Sequence, residues 1–192
     1  MCEFDITISV PLRSSPYIGS SSEYNLWQAF ASECMAYMRY SYYADEARDS
    51  GYECIASAFE KAARNEKEHA YIWFKELNQI GSLIENLGMT AINENYEWSK
   101  AYPQMARDAY NEGFDRLGKL FDSIGKVEHR HEREIREIID SIETDSCYSQ
   151  DKVVIWECRS CGHIIISKAA PDKCPICSHD QGHFQLLTKR PE

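Results

Sequence analysis

The sequence predicts a mainly α-helical protein in which an antiparallel four-helix bundle is followed by a small β-rich domain. Four segments place apolar residues three or four positions apart, which is the spacing of one helix face. After them, two Cys-x-x-Cys pairs stand beside runs of β-branched residues, which are typical of strands. The predicted parts are an N-terminal arm at 1–20, the bundle at 21–145 and the cysteine-containing domain at 153–192.

Capping patterns and glycines mark where the predicted helices begin and end. Ser20 with Glu23, and Ser82 with Glu85, have the capping-box spacing that begins a helix, here the first and the third. The connections are short, which favours antiparallel neighbours in a bundle. The glycines that separate the four segments are Gly51, Gly81 and Gly113.

Charge and hydropathy exclude several classes of partner. The net charge is −10, so the surface repels phosphate backbones and anionic lipid, and we expect neither nucleic acid nor a membrane as partner. No apolar run has transmembrane length, and residues 1–5 lack the basic start of a signal peptide. We therefore expect a cytoplasmic protein. Residues 5–12 alternate like a short strand within the arm, to which we assign no function.

Each helical stripe contains a glutamate near its middle, where an apolar residue is the ordinary occupant. In the second and fourth helices a histidine follows that glutamate by three residues, so both side chains lie on one face. The residues are Glu33 in the first helix, Glu66 and His69 in the second, Glu94 in the third, and Glu128 and His131 in the fourth.

These glutamates together predict a site for two metal ions. A single such residue would more often be a carboxylate that reaches out to solvent, or a hydrogen-bonded core histidine. Four carboxylates converging from four helices would repel one another, and burying them unpaired is costly, so cations are required. One Glu from each of two helices, with Glu-x-x-His from each of the others, resembles the ferritin-like di-iron carboxylate bundles.

An internal repeat of 62 residues relates the two helix pairs and shows one mismatch. Glu33 maps onto Asn95, one position after Glu94, so an inserted residue before Tyr102 would restore the register. We expect that insertion as a π-helical turn, a feature common at functional sites. Glu97, one turn after Glu94, is a seventh candidate ligand or else a solvated helix carboxylate. The repeat maps Tyr40 onto Tyr102, Gly51 onto Gly113, Glu66 onto Glu128 and His69 onto His131.

The clustered cysteines predict an all-sulfur metal site. Four of the eight cysteines form two pairs separated by residues 162–173, a spacing that indicates metal ligands in a reducing compartment. A tetrahedral four-thiolate site suits zinc or iron, and alone a zinc ribbon is the commoner interpretation. Zinc does no redox chemistry, so an iron centre attached to a di-iron bundle makes better chemical sense. The ligands are Cys158, Cys161, Cys174 and Cys177.

Other cysteines and histidines are expected to be structural. Cys34 and Cys54 fall in helical segments and should pack as small apolar side chains. His163, His179 and His183 lie in the cysteine-containing domain and are not expected to be ligands.

Several segments resemble rubrerythrins over roughly residues 23–190. The resemblance implies a ferritin-like di-iron bundle with a rubredoxin-like domain that holds one further iron. It also implies that Glu66 and Glu128 bridge the two irons. The segments that carry the resemblance are 29–33, 65–69, 102–103, 112–114, 128–132 and 156–187.

The resemblance also implies a role for each site residue. Glu97 and His69 would exchange at one iron on reduction, and Tyr40 and Tyr102 would hydrogen-bond to ligand carboxylates. The di-iron ligands would be Glu33, Glu66, His69, Glu94, Glu97, Glu128 and His131, with the four paired cysteines around the third iron.

The implied activity is a peroxidase of oxidative stress defence that reduces hydrogen peroxide to water. Electrons would pass through the rubredoxin-type iron, supplied by an NAD(P)H-dependent reductase or a rubredoxin, since the sequence has no nicotinamide-binding fingerprint. A homodimer is implied, in which one subunit's rubredoxin-like domain lies near the other's di-iron site. A ferroxidase or iron-handling protein is the alternative, and a zinc-ribbon interaction protein is a third.

Overall fold

The computed structural model describes residues 13–187 and contains the predicted mixture of long helices and a small sheet. A π-helical turn, Glu97–Ala101, joins α3 to α4 in one continuous helical segment, so the four predicted helical segments are present. The predicted strand at 5–12 lies outside the described residues. The elements are α1 (Ser21–Asp49), α2 (Glu53–Glu76), α3 (Leu83–Tyr96), α4 (Tyr102–Asn111), α5 (Asp115–Glu143), β1 (Ser149–Cys158), β2 (Ile164–Ala169) and β3 (Phe184–Leu186).

The mainly α-helical fold class with a small antiparallel sheet is confirmed. The described chain divides into two compact units, with the boundary at Met89 inside α3. In the first unit α1 packs against α2, and in the second α5 packs against α4 and the π turn. The predicted boundaries of the three parts stay a prediction.

Both helical hairpins turn through the same backbone geometry. Gly51 has φ of 83° and Gly113 has φ of 84°, a left-handed conformation that glycine adopts without strain. The N–H of each glycine donates to a carbonyl three residues earlier, at 2.9 and 3.1 Å. The turns are therefore equivalent, as the 62-residue repeat predicts.

Small residues form the seam between the two helices of each hairpin. In the second unit Ala106 and Ala109 are buried. Small side chains let helices approach closely, which leaves the larger apolar residues outside the seam. The apolar stripes that we expect to face inward are therefore only partly buried. Ile55 in the stripe of α2 and Phe114 in that of the fourth helical segment are 45% and 57% exposed. In the first unit the buried seam residues are Ala36, Ala44, Ala56, Ala63 and Ala70.

The packing predicted for the two helical cysteines is half right. Cys34 in α1 is partly buried, as a small apolar residue should be. The prediction for Cys54 was wrong, since its side chain is exposed in the first turn of α2. The position is two residues after the N-cap, where the helix has not yet entered the alanine seam.

The predicted capping residues begin α1 and α3. The Ser20 hydroxyl accepts the N–H of Glu23 at 3.1 Å, while the Glu23 carboxylate accepts the N–H of Gly19. At α3 the box is reciprocal, because Ser82 accepts the N–H of Glu85 at 3.3 Å and Glu85 accepts the N–H of Ser82 at 2.7 Å. Both predicted helix starts are confirmed.

The described end of the N-terminal arm is tied to the start of α3. Arg13 pairs with Glu85 at 2.6 Å, and Gln79 donates to the Arg13 carbonyl at 2.7 Å. The N–H of Ser82 and the Arg13 guanidinium together lower the pKa of the Glu85 carboxyl to about 2. The capping box of α3 therefore also anchors the chain that precedes α1.

The small domain is a three-stranded antiparallel sheet in the order β2-β1-β3. Trp156 of β1 stands opposite Ile165 of β2 and Leu186 of β3. The two β-branched runs lie in β1 and β2, as predicted. The buried core of the domain consists of Trp156, Cys158, Ala170, Cys174 and Phe184.

None of the helices within residues 13–187 has the length and apolar character needed to cross a membrane.

Replacing the N-cap of α3 should weaken the fold measurably. We expect Ser82→Ala to lower the free energy of unfolding by about 1 kcal/mol, because the N–H of Glu85 loses its acceptor. Urea denaturation followed by far-ultraviolet circular dichroism measures this. Ser57→Ala, at an exposed position inside α2, is the control and should cause no loss. Equal midpoints for Ser82→Ala and the wild type would contradict the prediction.

Candidate metal centres

The first hairpin gathers three of the predicted metal ligands. Glu33 projects from α1, and Glu66 and His69 project from one face of α2 because they are three residues apart. Their donor atoms all lie within 4.8 Å of one another. The His69 Nδ1 atom is 2.9 Å from Glu66 Oε2 and 3.9 Å from Glu33 Oε1.

The second unit repeats this arrangement with the equivalent residues. Glu94 projects from α3, and Glu128 and His131 project from α5, again with donor atoms within 4.8 Å. The His131 Nδ1 atom is 2.7 Å from Glu128 Oε2 and 3.6 Å from Glu94 Oε2. Six of the seven predicted di-iron ligands thus form two matching groups of three, which we call the half-sites.

The negative charges of the two carboxylates in each half-site repel one another. Burial raises the pKa of Glu33, and the hydrogen bond and charge of Glu66 raise it further. In the same way, burial raises the pKa of Glu94, and the hydrogen bond and charge of Glu128 raise it further. Glu94 Oε2 is also buried without a hydrogen-bond partner. The carboxylates of each half-site therefore require a compensating cation, and the oxygen and imidazole donors fit iron.

The predicted π-helical turn is confirmed at Glu97–Ala101. The inserted residue restores the register of the repeat, so that Tyr102 takes the place of Tyr40. Glu97 begins the turn and lies outside the three-residue group of Glu94. Burial raises its pKa, and the nearby charge of Glu128 raises it further. Glu97 is therefore close to the half-site without being part of its tightest cluster.

The two tyrosines occupy equivalent places beside phenylalanines, and they make no bond to a ligand. The rings of Tyr40 and Phe59, and those of Tyr102 and Phe121, are each 6.2 Å apart. Within residues 13–187 neither hydroxyl hydrogen-bonds to a candidate ligand carboxylate, so the bonds expected from the resemblance are not formed. Burial, and then the charges of Glu97, Glu128 and Glu94, nevertheless raise the pKa of the Tyr102 hydroxyl.

Sequence reasoning missed a buried carboxylate next to the second half-site. Glu132 is buried, with 7% of the whole residue exposed, and it follows His131 in α5. Its oxygens accept hydrogen bonds from Trp98 at 2.5 Å, from Asn95 at 3.1 and 3.2 Å, and from Arg136 at 2.7 Å. The available signal was the spacing of Glu132 and Arg136, which are four residues apart and form an ion pair on one helix face.

The four paired cysteines meet at one point of the small domain. The Sγ atoms of Cys158 and Cys177 are 3.7 Å apart, and so are those of Cys161 and Cys174. A tetrahedral site with metal–sulfur bonds of about 2.3 Å has sulfur–sulfur edges of about 3.8 Å. The sulfur atoms are therefore spaced as ligands of one metal ion, and no histidine within residues 13–187 belongs to the group.

Two equivalent turns hold the cysteines. The N–H of Gly162 donates to the Cys158 carbonyl at 2.8 Å, and the N–H of Ser178 donates to the Cys174 carbonyl at 2.9 Å. Gly162 and Ser178 both have positive φ, of 74° and 60°. Only glycine takes this conformation freely, so the first turn has the residue it favours and the second carries some strain.

The thiols influence one another strongly at these distances. Burial alone would raise the pKa of Cys174, but the backbone N–H groups of Cys177 and Ile176 lower it to about 7. The N–H of His163 lowers the pKa of Cys161, and the neighbouring thiols nevertheless raise it to about 12. Four thiolates together therefore require a bound cation.

Comparison with known proteins assigns the chain to a family. A family model described as rubrerythrin matches residues 24–139, and one described as the rubrerythrin rubredoxin-like domain matches residues 156–185. The rubrerythrin of Porphyromonas gingivalis is 39% identical over 182 residues, which cover 88% of this chain and 91% of that protein. The chain belongs to the rubrerythrin family. Rubrerythrin-1 of Clostridium acetobutylicum is 34% identical and covers 89% of this chain and 96% of its own length.

A solved structure of nigerythrin in its partially reduced state is also similar in sequence. It is 26% identical, covers 93% of this chain and 98% of its own, and has a TM-score of 0.34. Rubrerythrins are oxidoreductases with a di-iron site and a rubredoxin-type iron site. The half-sites and the four-cysteine group provide donors for both kinds of site. Membership of the rubrerythrin family is consistent with a role of the protein in oxidative stress defence.

Removing one sulfur ligand should abolish the rubredoxin-type iron and spare the helical site. We expect Cys174→Ser to lose the visible absorption of the four-cysteine iron, because Cys174 is buried among the other sulfur ligands. Iron content should fall by one ion per chain. Cys147→Ser is the matched control, since Cys147 is an exposed cysteine outside the group. An unchanged visible spectrum in Cys174→Ser would refute the ligand assignment.

Proposed function

We propose that this rubrerythrin-family protein is a non-haem di-iron peroxidase that reduces hydrogen peroxide to water in oxidative stress defence. The observation that carries the proposal is the pair of matching Glu–Glu–His half-sites in a chain that also holds a redox-capable all-sulfur site. Reduction of one peroxide to two water molecules takes two electrons and two protons. A pair of one-electron metal ions matches that electron count.

The ligand assignment follows the half-sites. Glu66 and Glu128 would hold the irons from the two Glu-x-x-His motifs, and Glu97 would complete the set from the π turn. The orphaned Oε2 atom of Glu94 supports this assignment, because a buried acceptor without a donor is a suitable metal ligand. The proposed di-iron ligands are Glu33, Glu66, His69, Glu94, Glu97, Glu128 and His131, and the rubredoxin-type iron is held by Cys158, Cys161, Cys174 and Cys177.

The iron pair, when bound, supplies the two electrons that peroxide accepts. Residues of the chain control protons and access around it. Tyr102 keeps its phenolic proton at neutral pH, because burial and three carboxylates raise its pKa. A protonated phenol in this place can donate a hydrogen bond to an oxygen atom at the site. We assign Tyr40 the equivalent place in the first hairpin.

His69 and Glu97 are the residues proposed to exchange with the redox state. The side chain of His69 is 51% exposed, whereas that of His131 is 40% exposed. Glu97 stands at the start of the π turn, outside the tightest cluster. Both residues are therefore held less firmly than Glu128, whose side chain is 14% exposed.

Electrons are proposed to arrive one at a time through the rubredoxin-type iron. Cys161 is exposed, and Ile176 between the second pair of cysteines is 67% exposed, so a partner can approach this site. An NAD(P)H-dependent reductase or a rubredoxin would supply the electrons in the cytoplasm. We further propose a homodimer in which the rubredoxin-like domain of one subunit serves the di-iron site of the other.

Anaerobic stopped-flow spectroscopy tests the proposed activity. Fully reduced, iron-reconstituted protein is mixed with one equivalent of hydrogen peroxide. We expect near-ultraviolet absorbance from di-iron oxidation first, followed by visible absorbance as the rubredoxin-type iron is oxidised and returns one electron to the pair. Cys174→Ser should show the first phase and lack the second, whereas Cys147→Ser should show both.

Two outcomes would contradict the peroxidase. A di-iron site that peroxide leaves reduced, while oxygen oxidises added ferrous iron rapidly, would favour a ferroxidase. A four-cysteine site that holds zinc in protein from its native source would remove the electron relay.

A further inference from the structure

Glu132 is a buried carboxylate that holds no place in the proposed ligand set. Among residues 13–187 it is the one acidic residue whose side chain is essentially buried. The side chains of Glu94 and Glu128 are 21% and 14% exposed, against 9% for Glu132. A buried carboxylate is costly unless its oxygens are fully hydrogen-bonded, so the position calls for an explanation.

The oxygens of Glu132 are saturated by donors from three elements. Trp98 and Asn95 donate from the π turn and α3, while Arg136 donates through both Nε and Nη2 at 2.7 Å from α5. Both carboxylate oxygens accept hydrogen bonds, and the carboxylate therefore clamps α5 to the segment formed by α3 and the π turn.

The clamp joins the residues directly beside three proposed iron ligands. Asn95 follows Glu94, Trp98 follows Glu97, and Glu132 itself follows His131. The hydrogen bonds from Asn95 and Trp98 lie on either side of the junction at which α3 becomes the π turn. The clamp thus spans the junction at which the helical register changes.

A shift of that register would move Glu97 away from the site. A π turn accommodates one extra residue, so the position at which it forms decides which side chains face the site. The side chains it passes then rotate by about 100°, because an α-helix has 3.6 residues per turn. Glu97 could then no longer face the metal site together with Glu94.

The clamp is present only in the half of the repeat that contains the π turn. Under the 62-residue shift, Glu132 corresponds to Ala70 and Arg136 corresponds to Phe74. Ahead of the inserted residue the shift is 61, so that Glu33 corresponds to Glu94, and Asn95 corresponds to Cys34. The hairpin without an extra carboxylate therefore has no equivalent of the clamp.

We propose that Glu132 is a positioning residue, which fixes the register of the π turn and so presents Glu97 to the iron at which it is proposed to exchange with His69. The inference rests on the ligand assignment proposed above. It predicts that Glu132 governs the affinity and coordination of the iron on the Glu97 side, without being a ligand.

Anaerobic ferrous-iron titration and Mössbauer spectroscopy of the full chain test the proposal. Glu132→Ala should weaken binding of one of the two irons by about 10- to 100-fold and change the spectrum of that iron. The rubredoxin-type iron serves as an internal reference and should be unchanged. Glu132→Gln, which keeps one acceptor oxygen for Trp98, should have a smaller effect.

Two further variants separate positioning from general loss of structure. Glu134→Ala removes a 55% exposed carboxylate that pairs with Arg130 on the same helix, and should leave both irons unchanged. Trp98→Phe removes a single donor to Glu132 and keeps an aromatic ring, so the fold should survive with a smaller change at the same iron. In metal-free protein, amide hydrogen exchange at 97–101 should be faster in Glu132→Ala than in Glu134→Ala.

The outcomes distinguish this inference from the proposed activity. Wild-type affinity and spectra in both Glu132→Ala and Trp98→Phe would overturn the positioning role. If Glu132→Ala does not fold, wild-type iron affinity and spectra in Trp98→Phe would by themselves overturn the positioning role. A wild type that binds both irons but fails to reduce peroxide would refute the peroxidase, while the effect of Glu132 on iron binding would still be seen.

Discussion

Repulsion between neighbouring carboxylates is the constraint on which the helical part of this protein depends. Glu33 and Glu66 in one hairpin, and Glu94 and Glu128 in the other, lie close enough that each pair raises a pKa within it. Such groups are tolerated on partly covered helix faces only when a cation or a proton compensates them. The same logic governs the small domain, where four thiols stand at the spacing of a tetrahedral site.

The repeat explains both the symmetry of the site and its one asymmetry. Equivalent glycine turns, aromatic pairs and Glu-x-x-His motifs indicate that the two hairpins descend from one pattern of residues. The π turn breaks the pattern, since it adds Glu97 to only one of the half-sites. The buried Glu132 and its donors accompany that exception. An extra ligand on an irregular helix therefore comes with its own hydrogen-bonded support.

Periodicity and spacing predicted the features that are local in the chain. The capping box of Ser82, the π turn, the Glu-x-x-His pairs and the Cys-x-x-Cys pairs all depend on residues within a few positions of one another. The clamp at Glu132 escaped prediction, because its donors Trp98 and Asn95 lie 34 and 37 positions away in the sequence. In addition, a charged residue beside an apolar stripe resembles a solvated residue. The exposure of Cys54 was missed for a related reason, since helical periodicity does not show where the alanine seam begins.

The identity of the ligands is the central claim, and anomalous X-ray diffraction at the iron edge tests it most directly. Crystals of iron-reconstituted protein should show three iron peaks per chain. Two should be surrounded by the glutamates and histidines of the half-sites together with Glu97, and the third by the four paired cysteines. Absence of iron beside Glu66 and Glu128, or a zinc signal in its place, would contradict the account.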